Sequence, residues 1–175
     1  AKTLPVNEAC GYVSAEDIEC NVMVPPFANS AMDGFAVRSA DLAKASEETP
    51  VTLTVIGSTV AGDTPASGQD GAWEIMTGAP VPESYDTVVK IEDAIISKQD
   101  AGGRPKEIVL TKPSATKSNI RDAGKDFVPG TLVIKSGTAI TPFHVMALAT
   151  IGTKMIAVTA KPRLTVFSTG KELVE

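Results

Sequence analysis

Short β-branched segments separated by glycine-containing turns constrain the fold of this chain most strongly. Between residues 51 and 112 these segments read VTLTVIGS, AWEIMTG, DTVVKIEDAIIS and EIVLTK. In the first segment Val51, Leu53 and Val55 alternate with threonines, which is the pattern of a half-buried strand. Turns with Gly-Asp, Ser-Gly, Asp-Gly and Gly-Gly pairs separate the segments. The pattern therefore predicts four or more short strands and a mostly β chain.

A helix is predicted in the later segment TPFHVMALATIG. Thr141 suits the N-cap, Pro142 suits the first helical position, and Gly152 suits a left-handed residue just after the last turn. Because the segment is apolar on almost every side, we expect this helix to be buried. Further strands are expected in TLVIKSGTAI, KMIAVTA and RLTVFSTG. The predicted fold class is mixed α/β, mostly β with a few helices.

The composition excludes several classes of protein. No apolar run approaches the roughly 20 residues that a membrane-spanning helix needs, and the first residues, AKTLPVNEACGYV, lack the features of a signal peptide. We therefore expect a cytoplasmic protein. The net charge of −5 argues against a general nucleic-acid binder. A catalytic triad would need His144, which is the only histidine in the sequence and is expected to have a structural role.

Three glycine-containing turns are candidates for function: SAMDGFAV at 30–37, IMTGAPVPESYDTVV at 75–89 and FSTGKEL at 167–173. Glycine allows close approach of a ligand to the backbone, and neighbouring hydroxyls and amides can hold an oxyanion. In the first turn Asp33 lies between apolar residues that we expect to anchor it, Met32 and Phe35. Each turn alone is also compatible with a purely structural connection.

A fourth stretch, NIRDAGKDFVPG, places Arg121 beside two aspartates, Asp122 and Asp126. The planar guanidinium of Arg121 could bind a phosphate or a carboxylate of a ligand. The alternative is a solvated hairpin in which these charges pair with one another. Magnesium binding by carboxylates stays open, because that ion needs only one or two acidic residues when substrate phosphates supply other ligands.

These stretches in this order resemble successive signatures of the MoeA family, the molybdopterin molybdenumtransferases, which includes the E domain of gephyrin. The motifs are VPPFANSAMDGFAV, IMTGAPVPESYDTVV, NIRDAGKD and RLTVFSTGKEL, and the resemblance covers essentially the whole chain. It implies an elongated N-terminal region in which a β-rich subdomain is inserted into a smaller α/β subdomain. Subdomain I would comprise 1–27 and 123–161, subdomain II would comprise 28–122, and 162–175 would begin a third, MogA-like subdomain of a longer protein.

The resemblance also implies a reaction. MoeA-like enzymes insert molybdenum from molybdate into adenylylated molybdopterin, use Mg²⁺ and release AMP. They act as homodimers. Their pathway partner is a MogA-like adenylyltransferase, and they bind neither nucleic acid nor a membrane. Their cleft lies between the second subdomain of one protomer and the third subdomain of its partner. We therefore expect this chain alone to be inactive.

The match carries specific roles onto residues of this sequence. Catalytic roles fall on Asp33, Thr77, Asp126 and Glu172. Asp33 and Glu172 would also be ligands of Mg²⁺, and Thr77 would donate a hydrogen bond to the pterin or its phosphate. Substrate binding falls on the motif neighbours Ser30, Gly34, Gly78, Arg121, Ser168, Thr169 and Gly170. At two positions, Lys125 and Lys171, this sequence has a base where the family usually has an acid, which argues against a magnesium role for either.

Three other interpretations stay open at this level. Gephyrin relatives also act as scaffolds that cluster membrane receptors, so a scaffold or interaction protein is one alternative. A tungsten-specific paralogue is another, because the sequences of the two kinds of enzyme are similar here. The third is a generic β-rich binding module in which the motifs serve only as turns.

Overall fold

The structure is a computed structural model, and it describes residues 1–64, 66–67 and 70–170. Within these residues the chain forms twelve short strands and one α-helix. In chain order the elements are β1 Lys2–Pro5, β2 Ile18–Glu19, β3 Asn29–Ser30, β4 Gly34–Val37, β5 Val51–Thr59, β6 Ala72–Ile75, β7 Thr87–Lys90, β8 Ile95–Gln99, β9 Pro105–Leu110, β10 Ile120–Arg121, β11 Leu132–Ile134, α1 Pro142–Thr150 and β12 Met155–Val158. The predicted mostly β class is confirmed.

The chain separates into two compact units. One unit contains residues 1–21 together with the residues from 129 onward, and the other contains residues 22–128. The resemblance placed the corresponding boundaries at 27/28 and 122/123. The assignment of the two units to subdomains of the family stays a prediction.

The unit with the chain ends is built from two strand pairs and the helix. β1 pairs antiparallel with β12, and β2 pairs antiparallel with β11. The helix begins as predicted: the Thr141 hydroxyl accepts a hydrogen bond from the His144 amide, and His144 Nδ1 accepts one from the Thr141 amide at 3.1 Å. Gly152 follows the helix with φ +79°, as expected for a C-terminal glycine. No helix in the described part of the chain is both long and apolar enough to cross a membrane.

The predicted burial of this helix is wrong. Within α1 the buried residue is Leu148, whereas Phe143 is 78% exposed and Met146 is 64% exposed. Within its own unit the helix packs mainly against β11 and the 3₁₀ turn Val6–Glu8. An apolar composition shows that a helix can be covered, but it does not specify what covers each side.

The strand predicted in RLTVFSTG is also not formed. Residues 162–170 have no strand and are exposed, with Leu164 at 86% and Phe167 at 79% exposure. A strand requires a neighbour that completes its backbone hydrogen bonds, and no described strand pairs with this segment.

The unit of residues 22–128 is organised around a six-stranded sheet with the order β7-β4-β6-β5-β9-β8. β5 pairs with β9 through its first half and runs parallel to β6 through its second half. All four residues of the neighbouring strand β4 are buried. Because successive side chains of a strand point to opposite faces, β4 is covered on both faces. Phe35 and Val37 join one apolar cluster, and Ala36 joins a second cluster on the other side. This double burial fixes the position of the turn that precedes β4.

Candidate functional site

Asp33 lies on a tight turn between β3 and β4 that is closed by a buried serine. The Ser30 side chain is 1% exposed, its hydroxyl donates to the Met32 carbonyl at 2.5 Å, and it accepts from the Met32 amide at 3.2 Å. Asp33 itself is exposed. Phe35 anchors the turn in the core as predicted, but Met32 does not, because Met32 is 39% exposed.

The carboxylate of Asp33 is held by one residue of the second motif, Thr77. The Thr77 amide donates to Asp33 Oδ1 at 2.7 Å, and the Thr77 hydroxyl donates to the same oxygen at 2.9 Å. These two bonds hold the pKa of Asp33 below its usual value, and the bond from the amide has the larger effect. Asp33 Oδ2 has no protein partner in the part of the chain that the structure describes. The turn therefore presents an ionised oxygen that is free to bind another group.

Gly34 is required here by a close approach of two backbones. A Cβ at this position would lie 2.0 Å from the Val89 carbonyl oxygen and 2.9 Å from the Ile91 amide nitrogen. The approach arises because β4 pairs with β7, with Gly34 opposite Lys90. The Ile91 amide then donates to the Asp33 carbonyl at 3.0 Å. The absence of a side chain at Gly34 thus allows the aspartate turn to pack closely against the end of β7.

The segments next to Asp33 and Thr77 in the chain, residues 29–30 and 78–80, are joined by backbone hydrogen bonds. The Gly78 amide donates to the Ser30 carbonyl at 2.8 Å, and the Ser30 amide donates to the Ala79 carbonyl at 3.0 Å. Farther along, Asn29 bridges to Pro80. Gly78 has φ +80°, a left-handed conformation that glycine adopts readily. The first and second motifs are therefore one structural feature, although they lie more than 40 residues apart in the chain.

The ends of four adjacent strands meet at the edge of the sheet that carries this feature. Gly34 is in register with both Ile75 and Lys90, and Ile75 is in register with Thr59. The loops at this edge expose large apolar side chains, namely Met32, Val60, Met76 and Ile91. The edge thus combines one ionised carboxylate with an apolar surround.

The third motif, NIRDAGKD, pairs with β3, the strand before the Asp33 turn, but its charged side chains pair with one another. β10 pairs with β3, which places Arg121 opposite Asn29. Arg121 Nη2 donates to Asp126 Oδ1 at 2.6 Å, and both side chains are partly exposed. Of the two interpretations of this stretch, the charge-paired one describes these side chains. The catalytic role of Asp126 and the substrate-binding role of Arg121 stay predictions.

The fourth motif, RLTVFSTGKEL, belongs to the other compact unit. Ser168, Thr169 and Gly170 are exposed and belong to no strand or helix. Glu172 and Lys171 lie outside the described residues. The predicted roles of these five positions are therefore untested.

A preformed metal cluster is not found among the described residues. No group of three or more His, Cys, Asp and Glu side chains is close enough together there to hold an ion. Asp33 Oδ2 fits a site of the magnesium type, in which one carboxylate oxygen and several substrate or water oxygens complete the coordination. Asp33 can thus supply one ligand.

Asn119 supports the aspartate turn, a role that the sequence patterns did not reveal. Its carbonyl accepts from the Ala31 amide at 2.9 Å, and its side-chain amide donates to the Val88 carbonyl at 2.8 Å. Asn119 has φ +54°, and asparagine is one of the few residues that tolerates this conformation. Asn119 is the first residue of the third motif, and the Ser118-Asn119 pair was the available signal.

Replacing Thr77 by valine should raise the pKa of Asp33. The variant Thr77→Val loses the hydroxyl donor but keeps the amide donor, so the pKa should rise while staying below its usual value. A lowered carboxyl pKa favours the folded state above the unfolded pKa, and this contribution is lost as the pH falls through the folded pKa. Carboxyl ¹³C titration of Asp33 by NMR measures the change. An unchanged or lower pKa would contradict the hydrogen-bond assignment.

Comparison with known proteins places this geometry in a family. Residues 1–152 match the family described as "MoeA N-terminal region (domain I and II)". The chain is 35% identical to the molybdopterin molybdenumtransferase of Synechococcus elongatus over 98% of its own length and 41% of that protein. It is 37% identical to the enzyme of the same name from Haemophilus influenzae, again over 98% of this chain and 40% of the relative. The chain thus spans about two fifths of these relatives.

A solved structure agrees with the sequence relatives. A crystal structure of the molybdopterin biosynthesis MoeA protein from Pyrococcus horikoshii superposes with a TM-score of 0.82 at 33% identity. The alignment covers 92% of this chain and 41% of that protein. The chain therefore belongs to the MoeA family and corresponds to its N-terminal region.

Proposed function

We propose that this chain is the N-terminal part of a molybdopterin molybdenumtransferase and forms one wall of its active site. The reaction is insertion of molybdenum from molybdate into adenylylated molybdopterin with release of AMP. The names of the relatives support the enzyme class. Because the chain spans only about two fifths of those relatives, the remaining wall belongs to the rest of the enzyme. The protein acts as a cytoplasmic homodimer in this proposal.

One observation carries the proposal: the Asp33 carboxylate is fixed by Thr77 and still has a free oxygen. A carboxylate of lowered pKa is ionised at neutral pH. It can accept hydrogen bonds from the ring N–H and amino groups of a pterin. Because Oδ1 is committed to Thr77, the orientation of Oδ2 is set before substrate arrives, which reduces the cost of binding.

The apolar surround of the same edge suits the flat pterin ring. Met32 directly precedes Asp33, Met76 directly precedes Thr77, and both methionines are more than a third exposed. Thioether side chains adapt to irregular shapes and contact aromatic rings favourably. The apolar residues would cover the ring while Asp33 fixes its orientation.

Magnesium fits this arrangement as an ion shared with the substrate. In this mode Asp33 Oδ2 would bind the ion in place of the pterin N–H groups, and substrate phosphate oxygens and water would supply the other ligands. The ion would neutralise phosphate charge and stabilise the departing AMP. The residues of this chain orient the substrate and the carboxylate, and Glu172 stays a predicted second ligand.

A reconstituted reaction tests the proposed function. The full-length protein that contains this chain is incubated with adenylylated molybdopterin, molybdate and Mg²⁺, and AMP release and molybdenum content of the cofactor are measured. We expect both with the full-length protein and neither with residues 1–175 alone. Release of no AMP by a folded full-length protein would contradict the proposal, and turnover by the 175-residue chain would contradict the two-wall site.

A further inference from the structure

A cavity lies within the unit of residues 22–128, and no role described above uses it. Its volume is about 390 Å³, within the range of about 300–1,000 Å³ that is typical of small-molecule sites. The walls come from three stretches of chain: Phe27 and Ala28, the 81–86 segment, and the 116–122 segment. The cavity is therefore built by the fold of this unit.

The body of this cavity is apolar. Its apolar lining residues are Phe27, Ala28, Val81, Pro82, Tyr85 and Ile120. Val81 and Tyr85 also belong to the second core cluster of the sheet, so their positions are fixed by packing. A ligand would therefore be held chiefly by burial of apolar surface.

The rim of the cavity is acidic, and its charges are not equally available. Three carboxylates and one ammonium group lie on it, those of Glu83, Asp86, Asp122 and Lys117. Asp86 accepts from the amide and hydroxyl of Ser39 at 2.6 and 2.7 Å, and Asp122 accepts from Lys117 at 2.8 Å.

Glu83 is the rim carboxylate that stays available to a ligand. It is exposed, and no described residue pairs with its side chain. A ligand with one positive charge would pair with Glu83, whereas an anionic ligand would meet an excess of negative charge.

The cavity is separate from the Asp33 site. Asp86 directly precedes β7, and Ile91, which bonds to Asp33, directly follows it. The five residue steps from Asp86 to Ile91 along this strand correspond to a separation of roughly 16 Å. The negative rim also excludes the polyanionic substrate proposed for the Asp33 site.

We propose that this cavity is a second binding site, for a small organic cation with an aromatic or aliphatic body. The apolar walls take the body and Glu83 pairs with the cationic group. The proposal does not depend on the molybdenum-insertion function, because it uses none of the residues assigned to that reaction.

Three probes of nearly equal size test the charge preference: 2-phenylethylamine, 2-phenylethanol and 3-phenylpropanoate. Each is titrated into the ¹⁵N-labelled 175-residue chain, and amide shifts are followed by NMR. We expect millimolar binding of the amine, with shifts at Val81, Tyr85 and Ile120. The alcohol should bind more weakly and the carboxylate most weakly. Equal or tighter binding of the carboxylate, or no shift with the amine, would overturn the proposal.

Variants separate the cavity from nonspecific binding. Ala28→Leu adds side-chain volume at the cavity wall and should abolish the shifts caused by the amine. Glu83→Gln should weaken binding of the amine about two- to fivefold and leave the alcohol unchanged. Glu48→Gln removes an equivalent exposed charge elsewhere in the unit and should change neither. Equal weakening by Glu48→Gln and Glu83→Gln would overturn the assignment of Glu83.

Titration with a short peptide tests whether the cavity binds a peptide segment in place of a small molecule. Acetyl-Lys-Phe-Lys amide carries the same aromatic ring and the same sign of charge as the amine. If the peptide shifts the cavity residues and 2-phenylethylamine does not, the cavity is a peptide-docking site and the proposal of a free small cation is wrong. Binding of the amine that is lost in Ala28→Leu supports the proposal. The ¹⁵N spectrum of that variant shows whether its fold is retained.

Discussion

The variant Asp33→Asn of the full-length enzyme should lose about 100-fold or more of its molybdenum-insertion rate with almost no loss of stability. Asparagine retains a carbonyl oxygen that can accept both hydrogen bonds from Thr77. The turn therefore stays closed, and only the negative charge is removed. Because the side chain is exposed, the free energy of unfolding should change by no more than about 0.5 kcal/mol.

Asp100 provides a matched control for this experiment. Its pKa is also lowered, mainly by a hydrogen bond from the Arg104 amide, and its Oδ1 also accepts from the Gly102 amide. It lies in the turn between β8 and β9, which is not among the strand ends that meet beside Asp33. The variant Asp100→Asn should keep the wild-type insertion rate. Similar rates for Asp33→Asn and the wild type would remove Asp33 from the active site.

The variant Gly34→Ala should destabilise the chain more than any other single glycine-to-alanine change at this end of the sheet. The added Cβ would lie 2.0 Å from the Val89 carbonyl oxygen, which is backbone and cannot rotate away. Relief requires separating β4 from β7, and β4 is buried along its whole length. We expect a loss of about 3 kcal/mol or more in the free energy of unfolding.

Urea denaturation of the 175-residue chain measures this loss. Gly103→Ala is the control, because Gly103 has φ +80° but a Cβ there meets nothing within 4 Å. Gly103→Ala should lower the free energy of unfolding by about 1 kcal/mol, because alanine disfavours the left-handed backbone conformation at this position. The backbone-approach argument fails if Gly34→Ala is as stable as Gly103→Ala.

Much of the fold was predictable because it depends on local patterns. The alternation of Val51, Leu53 and Val55 correctly predicted β5, and the Thr141 and Pro142 signals correctly predicted the start of α1. Such signals act over a few residues, and so the sequence alone reveals them.

The failures concern what each segment packs against. The helix is apolar but exposes Phe143, and the segment of residues 162–170 is rich in apolar residues but has no strand partner. Apolar periodicity records the ability to be buried, whereas the covering surface is determined by the tertiary structure.

The geometry of the candidate site depends on long-range pairing. The sequence patterns and the family resemblance pointed to Asp33 and Thr77 separately, but their hydrogen bonds require β4 to lie between β6 and β7. The function of Gly34 depends on the path of residues 89–91, and the support from Asn119 depends on both segments. None of these contacts leaves a periodic signal in the chain.

Equilibrium binding of adenylylated molybdopterin tests the central claim most directly. The claim is that the turn held by Asp33 and Thr77 contacts the substrate. Isothermal titration of the full-length protein should show clearly weaker binding for the double variant Asp33→Asn, Thr77→Val than for the wild type, with Asp100→Asn unchanged. Wild-type affinity in a folded double variant would show that the turn is structural only.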